Sequence, residues 1–381
     1  MSQASFKLTY SPPLDGLRGI AILSVLFFHA EVPFLKGGFL GVDLFFVLSG
    51  FLITSLLISE FDTHGAINLK DFYIRRILRL VPGLVLLLLA FCLLSLLLLE
   101  SEQANRNYID ALISLTYLSN WARAFSIHPP DYLGHTWSLS IEEQFYIIWP
   151  IVLLGLLRAS TQRFYVVLFA VAIAILSWLV RVSLLDSGAA PERLYNGLDT
   201  RADALMAGCA AGAALMSGLL TNKKPRKNIE TPLNVIALVS FGVLCAFFIF
   251  SDWQAKFLYQ FGFIIIELLT IILIVDVLTN SKSIIRKFLE MEWLVWIGTI
   301  SYGMYLWHYP IFRVLFELNQ SWSTVLMVGF PVTFAVAASS YYLMEKPLLK
   351  LKKGFSHLAP IRPLKPTSDP SLIPQTAPER S

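Results

Sequence analysis

Apolar residues recur in long runs along this chain, separated by short polar segments, and that alternation predicts membrane-crossing helices. Ten runs are read, at residues 14–31, 39–59, 80–99, 140–157, 164–184, 202–220, 233–250, 257–279, 293–316 and 323–345. Each holds roughly 18–24 residues, enough for a helix to cross about 30 Å of hydrocarbon. Residues 107–127 carry a polar side chain every few positions. That segment is expected to be re-entrant or to lie in the membrane interface. The fold expected is an all-α, polytopic transmembrane helical bundle of about ten spans, with residues 1–353 as one membrane domain. In the segment 354–381 prolines recur and apolar content falls, so a disordered cytoplasmic tail is expected there.

Composition agrees. Of 381 residues, 56% are hydrophobic and 15% charged, whereas a soluble domain is about 25% charged. The start of the chain lacks the basic n-region of a signal peptide, and Asp15 and Arg18 fall inside its first apolar run, which is therefore read as a span. With the N-terminus inside, 22 of the 30 basic residues fall on inner segments. The positive-inside rule then places both termini in the cytoplasm. A net charge of +4 needs no nucleic acid to explain it. Cys92, Cys209 and Cys245 are scattered through apolar runs and read as packing residues. His128 and His135 sit in one polar loop at a spacing that fits no zinc pattern, so no metal is expected. No internal repeat is visible, which weakens an inverted-repeat transporter.

The first run, LDGLRGIAILSVLFFHA, carries candidate chemistry. Arg18 and His29 are eleven residues apart. That spacing is three turns plus roughly 20°, so both face one way, about 16 Å apart along the axis. An ionisable residue in a span costs at least a few kcal/mol and usually faces a bundle interior. In GGFLGVDLFFVLSGFLIT, Asp43 and Ser49 sit among small residues. Helix packing explains them, and Ser49 has no base beside it in sequence. In DFYIRRILRLVP, Arg75, Arg76 and Arg79 crowd one side of a helix. They read either as a snorkelling anchor or as a guanidinium clamp for a polyphosphate such as coenzyme A. In HTWSLSIEEQFYIIWP, Ser140 and Glu143 fit a capping box. Glu142, Glu143, Trp137 and Tyr146 at the outer mouth would alternatively bind a sugar or orient a base. Asp199, Arg201 and Asp203 read as an ion network or part of an acceptor site, ahead of a Gly208–Gly212 packing element. In SYGMYLWHYP, Ser301, Tyr305 and His308 share one helix face. Glu345 closes the last run.

Taken in order, LDGLRGIAILSVLFFHA, GVDLFFVLSGFLIT, FYIRRILRLVP, TWSLSIEEQFYIIWP, DTRADALMAGCAAG, SYGMYLWHYP and EKP resemble the acyltransferase-3 family of integral membrane acyltransferases, the family of bacterial O-antigen and polysaccharide O-acetylases. The resemblance runs from residue 14 to 347. It implies acyl transfer, commonly of acetyl, from acyl-coenzyme A to a carbohydrate hydroxyl of the cell envelope, at a bacterial inner membrane. It makes His29 the catalytic histidine, Arg18 its motif partner, Glu142 and Glu143 the acidic motif, and Arg75, Arg76 and Arg79 the arginines at the coenzyme A phosphates. Trp137, Tyr146, Asp199, Arg201, Tyr305 and His308 are the expected acceptor-side residues. Some members add an extracytoplasmic esterase-like domain; the chain ends in a short tail instead, so direct acylation at the membrane domain is expected. A histidine can take the proton of an attacking hydroxyl, whereas Arg18, at about 16 Å, is too distant to stabilise the thioester oxyanion and is assigned to the pantetheine arm. The donor is expected from the cytoplasm and the acceptor from outside. Two other readings are a proton-coupled transporter using His29, His308, Glu142 and Arg18 as a relay, and an acyltransferase acting on a lipid or small molecule.

Overall fold

The computed structural model describes residues 10–160, 162–219 and 230–351. The expected tail at 354–381, and the inner basic residues Lys7, Lys223, Lys224, Arg226 and Lys227, lie outside the described residues. Within them the chain is helical throughout: α1 (Pro12–His29), α2 (Gly41–His64), α3 (Leu69–Leu98), α4 (Ser101–Leu115), α5 (Ser119–Ala124), α6 (Thr136–Ala159), α7 (Phe164–Asp186), α8 (Pro191–Asn196), α9 (Leu198–Met216), α10 (Glu230–Phe250), α11 (Leu258–Thr279), α12 (Ile284–Leu289), α13 (Glu292–Thr299), α14 (Ser301–Glu317) and α15 (Trp322–Lys350).

Seven of these, α2, α3, α6, α7, α10, α11 and α15, are long and apolar enough to cross a membrane. The other three expected spans correspond to α1, α9 and the pair α13–α14. The first carries Asp15 and Arg18, the second carries Asp199, Arg201 and Asp203, and α14 has only 17 residues. Segment 107–127 folds as parts of two short helices, α4 and α5, neither of which spans. Whereas the pattern suggested a juxtamembrane arginine helix followed by a separate span from 80, α3 is one helix of 30 residues that continues through Pro82.

Burial sorts centre from rim. In α2, 83% of the apolar window is buried, against 22% in α7 and α10. Leu93, Leu96 and Leu97 of α3 and Leu176 of α7 are exposed, and such apolar faces suit lipid rather than water. Helix α2 is gripped by α9 through glycines. A Cβ on Gly50 would lie 1.9 Å from the Leu205 carbonyl oxygen, and one on Gly208 2.1 Å from that of Val47. Small residues let backbones approach this closely. The first helix is held in the same way, since Gly298 of α13 abuts the backbone of Asp15.

Ion pairs tie α9 to both α2 and α7. Arg201 of α9 donates to Asp43 of α2 at 2.5 Å, and both side chains are fully buried. Arg181 of α7 pairs with Asp203 at 2.5 Å, equally buried. Removing one member of a buried pair strands the other charge, at about 3–5 kcal/mol. Arg201→Met is therefore expected to lower the melting temperature of the detergent-solubilised protein markedly, and Asp43→Leu added to it to recover most of the loss. An unchanged melting temperature in Arg201→Met would contradict the assignment.

Candidate active site

Helix α6 begins at Thr136, four residues before the expected cap. The capping box is not formed: Ser140 Oγ donates to the Thr136 carbonyl at 3.0 Å, inside the helix. Glu142 and Tyr146 are consequently carried past the helix mouth into the bundle. There Ser49 Oγ donates to Glu142 Oε1 at 2.5 Å, and the Tyr146 hydroxyl donates to Ser49 Oγ at 2.9 Å. These three side chains line one cavity, of about 70 Å³, with Arg18, Arg76 and Arg79. The Arg76 guanidinium lies 4.8 Å from the centre of the Tyr146 ring, a cation–π contact. Arg18 also pairs with Asp15, one turn earlier, at 3.4 Å. The clamp in this cavity is thus Arg18, Arg76 and Arg79. Arg75 is not in the lining; it turns to Glu60, at 3.5 Å. Glu143 is outside the lining, so of the two adjacent acids it is Glu142 that shares the cavity wall with the arginines, while Glu143 still lies within the field of Arg76.

A second cavity, of about 220 Å³, shares Val42 and Tyr305 with the first. Its lining includes His29, Arg123, His135, Trp137 and Tyr195. The Trp137 and Tyr195 rings lie 4.7 Å apart. A third, of about 470 Å³, shares Phe28, His29, Trp253 and Tyr309 with the second. His29, the last residue of α1, thus stands in the wall common to the second and third cavities, and Tyr305 in that common to the first and second.

His308 lines none of the three. It is fully buried behind His29, with its Nε2 3.0 Å from His29 Nδ1 and its Nδ1 3.0 Å from the Met304 carbonyl. A carbonyl only accepts, so Nδ1 of His308 carries a proton and Nε2 of the neutral ring accepts. The hydrogen between the two rings then belongs to His29 Nδ1, which leaves the lone pair of His29 on Nε2. The expected role of His308 as an acceptor-binding residue gives way to that of a partner fixing the catalytic candidate's tautomer. Two other acceptor candidates are also elsewhere. Asp199 makes two bonds with Arg193, at 2.9 and 2.5 Å, and Arg201 is committed to Asp43. Tyr146, expected at the outer mouth, belongs to the arginine cavity.

Polar and aromatic residues of these linings not singled out as site candidates by sequence include Arg123, Tyr195 and Trp253, while Ser49 and His135 read in sequence only as a packing residue and a loop histidine without metal spacing. Arg123 sits in the segment read as interfacial, where it donates to Asn196 and to the Pro130 carbonyl, both at 3.3 Å. His135 is buried, its Nε2 3.1 Å from the Leu306 carbonyl. Its ring lies 5.5 Å from that of His308.

The acyltransferase domain family, acyltransferase-3, matches residues 13–344. Peptidoglycan O-acetyltransferase OatA of Listeria monocytogenes is 35% identical over 357 residues, covering 91% of this chain and 57% of that protein. O-acetyltransferase OatA of Staphylococcus aureus is 36% identical over 363 residues, covering 92% of this chain and 58% of that protein. The chain thus spans little more than half the length of these curated relatives. No solved structure matches it.

The arginine cavity predicts a graded loss of anion binding. A hydrogen bond to a charged group contributes about 1.5–3 kcal/mol, so Arg76→Ala and Arg79→Ala are each expected to weaken binding of a polyphosphate anion, with coenzyme A as the probe, by roughly tenfold or more. Arg75→Ala, outside the lining, is expected to have a much smaller effect. Titration calorimetry on the solubilised protein checks this, and equal losses for all three would contradict it. With its family match across nearly the whole bundle, the chain belongs to the acyltransferase-3 family of multi-pass membrane proteins.

Proposed function

We propose that this protein transfers an acetyl group from acetyl-coenzyme A to a hydroxyl of a cell-wall carbohydrate at a bacterial inner membrane. The observation that carries the reading is the position of His29. It stands in the wall between the third cavity and the second, which itself adjoins the arginine cavity at Val42 and Tyr305, with its Nε2 left free as a base by His308. The family and both relatives support O-acetyl transfer, and the Listeria relative, a peptidoglycan O-acetyltransferase, supports peptidoglycan as the acceptor. They favour it over lipopolysaccharide, and over a proton-coupled transporter. The three guanidiniums against one carboxylate in the first cavity suit the phosphates of the donor.

In this reading the donor enters from the cytoplasm, and both termini face that side. Arg18, Arg76 and Arg79 hold its phosphates. The pantetheine arm passes Val42 and Tyr305 and brings the thioester to the second cavity. His29 Nε2 takes the proton of the acceptor hydroxyl as its oxygen attacks the thioester carbon. Arg123, a cation in that lining, provides positive potential for the oxyanion that develops. Collapse breaks the C–S bond, and the imidazolium returns the proton to the departing thiolate. The products are the carbohydrate ester and free coenzyme A, and no residue of the chain is acylated.

The test follows thiol release from acetyl-coenzyme A by the purified chain with peptidoglycan fragments added. Release that requires the glycan and is abolished in His29→Ala is the expected result. Coenzyme A bound without glycan-dependent release would contradict the proposed reaction. His308→Phe removes the acceptor that fixes the His29 tautomer. It is expected to lower kcat by about 100-fold, the usual scale for a misplaced catalytic group, and to leave both KM values near wild type. A change in KM alone would contradict the positioning role.

A further inference from the structure

The acceptor was expected among Trp137, Tyr146, Asp199, Arg201, Tyr305 and His308. The structure places Tyr146 in the arginine cavity, Trp137 and Tyr305 on the second cavity, Asp199 and Arg201 in ion pairs, and His308 behind His29. The third cavity, by contrast, touches the catalytic candidate on the side away from the arginines, and no role has been given to it. Its volume of about 470 Å³ falls within the range of roughly 300–1,000 Å³ usual for ligand sites. Aromatic rings of Phe28, Trp253 and Tyr309 meet there, and its charged residues are Glu31, Lys36, Asp252 and Arg313.

Resting on the proposed acetyl transfer, we infer that this cleft binds the acceptor as a saccharide ring, with Trp253 as its stacking platform and Lys36 among its polar contacts. The chemistry of the lining selects the class. Two cations and two carboxylates balance, so the cleft does not recruit an anion by net charge. An acyl chain would leave all four charged groups facing hydrocarbon, which is costly. A pyranose offers an apolar C–H face to an aromatic ring and hydroxyls at its edge to both kinds of charge.

The walls are built in advance. The Tyr259 hydroxyl donates to the Trp253 carbonyl at 2.8 Å, and Asp252 accepts from the Gln254 amide at 2.9 Å. The Gly37 amide, next to Lys36, donates to the Phe248 carbonyl at 2.9 Å. Arg313 is steadied by Asp131 at 2.8 Å. Glu31, two residues after His29, has φ +56°. A non-glycine residue held in that region carries strain that surrounding structure must sustain, and such residues cluster at functional sites.

Two readouts test the cleft. Saturation-transfer NMR measures binding of an N-acetylglucosamine–N-acetylmuramic acid disaccharide to the full chain in detergent. Steady-state kinetics measures the acceptor KM. Trp253→Ala is expected to remove the transfer signal and raise the acceptor KM roughly tenfold, as loss of an aromatic contact does. Trp253→Phe is expected to recover much of both. Lys36→Ala, at an exposed position that cannot unfold the bundle, is expected to raise the acceptor KM by a smaller factor. Unchanged binding and KM in Lys36→Ala and Asp252→Asn, which line only the third cavity, with both altered in Trp137→Ala, which lines only the second, would move the acceptor to the second cavity and overturn the inference. Disaccharide binding that depends on Trp253 and on Lys36 or Asp252, without any acetyl-coenzyme A consumption, would instead support the cleft and overturn the proposed reaction.

Discussion

A charged side chain inside a hydrocarbon layer is costly unless it is paired or faces water, and this constraint organises the bundle. The polar residues of its helices divide into two populations. Asp43, Arg201, Arg181 and Asp203 are buried in mutual pairs that tie α2, α7 and α9 together. Arg18, Arg76, Arg79 and Glu142 instead line a cavity. The first population positions helices, and the second is available to a ligand. Position makes the difference, since one set is sealed between helices and the other borders a cavity, although both kinds look alike as letters in an apolar run.

The same economy explains the histidines. An imidazole inside a bundle needs partners at both nitrogens, and His308 finds them in the Met304 carbonyl and in His29. That arrangement leaves His29 with one nitrogen committed and one free, at a wall between two cavities. In the proposed chemistry donor and acceptor approach that nitrogen from opposite sides of one residue. A single base then serves a reaction whose substrates start on different sides of the membrane.

Helices and their approximate limits were legible because burial and lipid exposure both require long apolar runs. The glycines at 208 and 212 were legible because close helix approach demands them. The site was legible only in part. The spacing of Arg18 and His29 along α1 placed both on cavity walls, as one helix face allows. The cap at Ser140 was a local rule overruled by tertiary contact: α6 starts earlier, and Glu142 moves from mouth to interior. Arg75 shares its helix with Arg76 and Arg79 but is drawn to Glu60 on α2. Spacing on a helix gives a face, not the partner that captures a side chain. Trp253 shares a cavity with His29 across a distance in sequence that no periodicity records, and His29 meets His308 across 279 residues.

The proposed reading has the arginine cavity and His29 face opposite sides of the membrane, with the thioester passing between them. It is tested most directly by labelling single cysteines with a membrane-impermeant maleimide, in a background with Cys92, Cys209 and Cys245 replaced by alanine. Arg79→Cys should react only from the cytoplasmic side, in inverted vesicles. His29→Cys and Lys36→Cys should react only from the outer side, in right-side-out vesicles. Labelling of Arg79→Cys and His29→Cys from the same side would contradict the account.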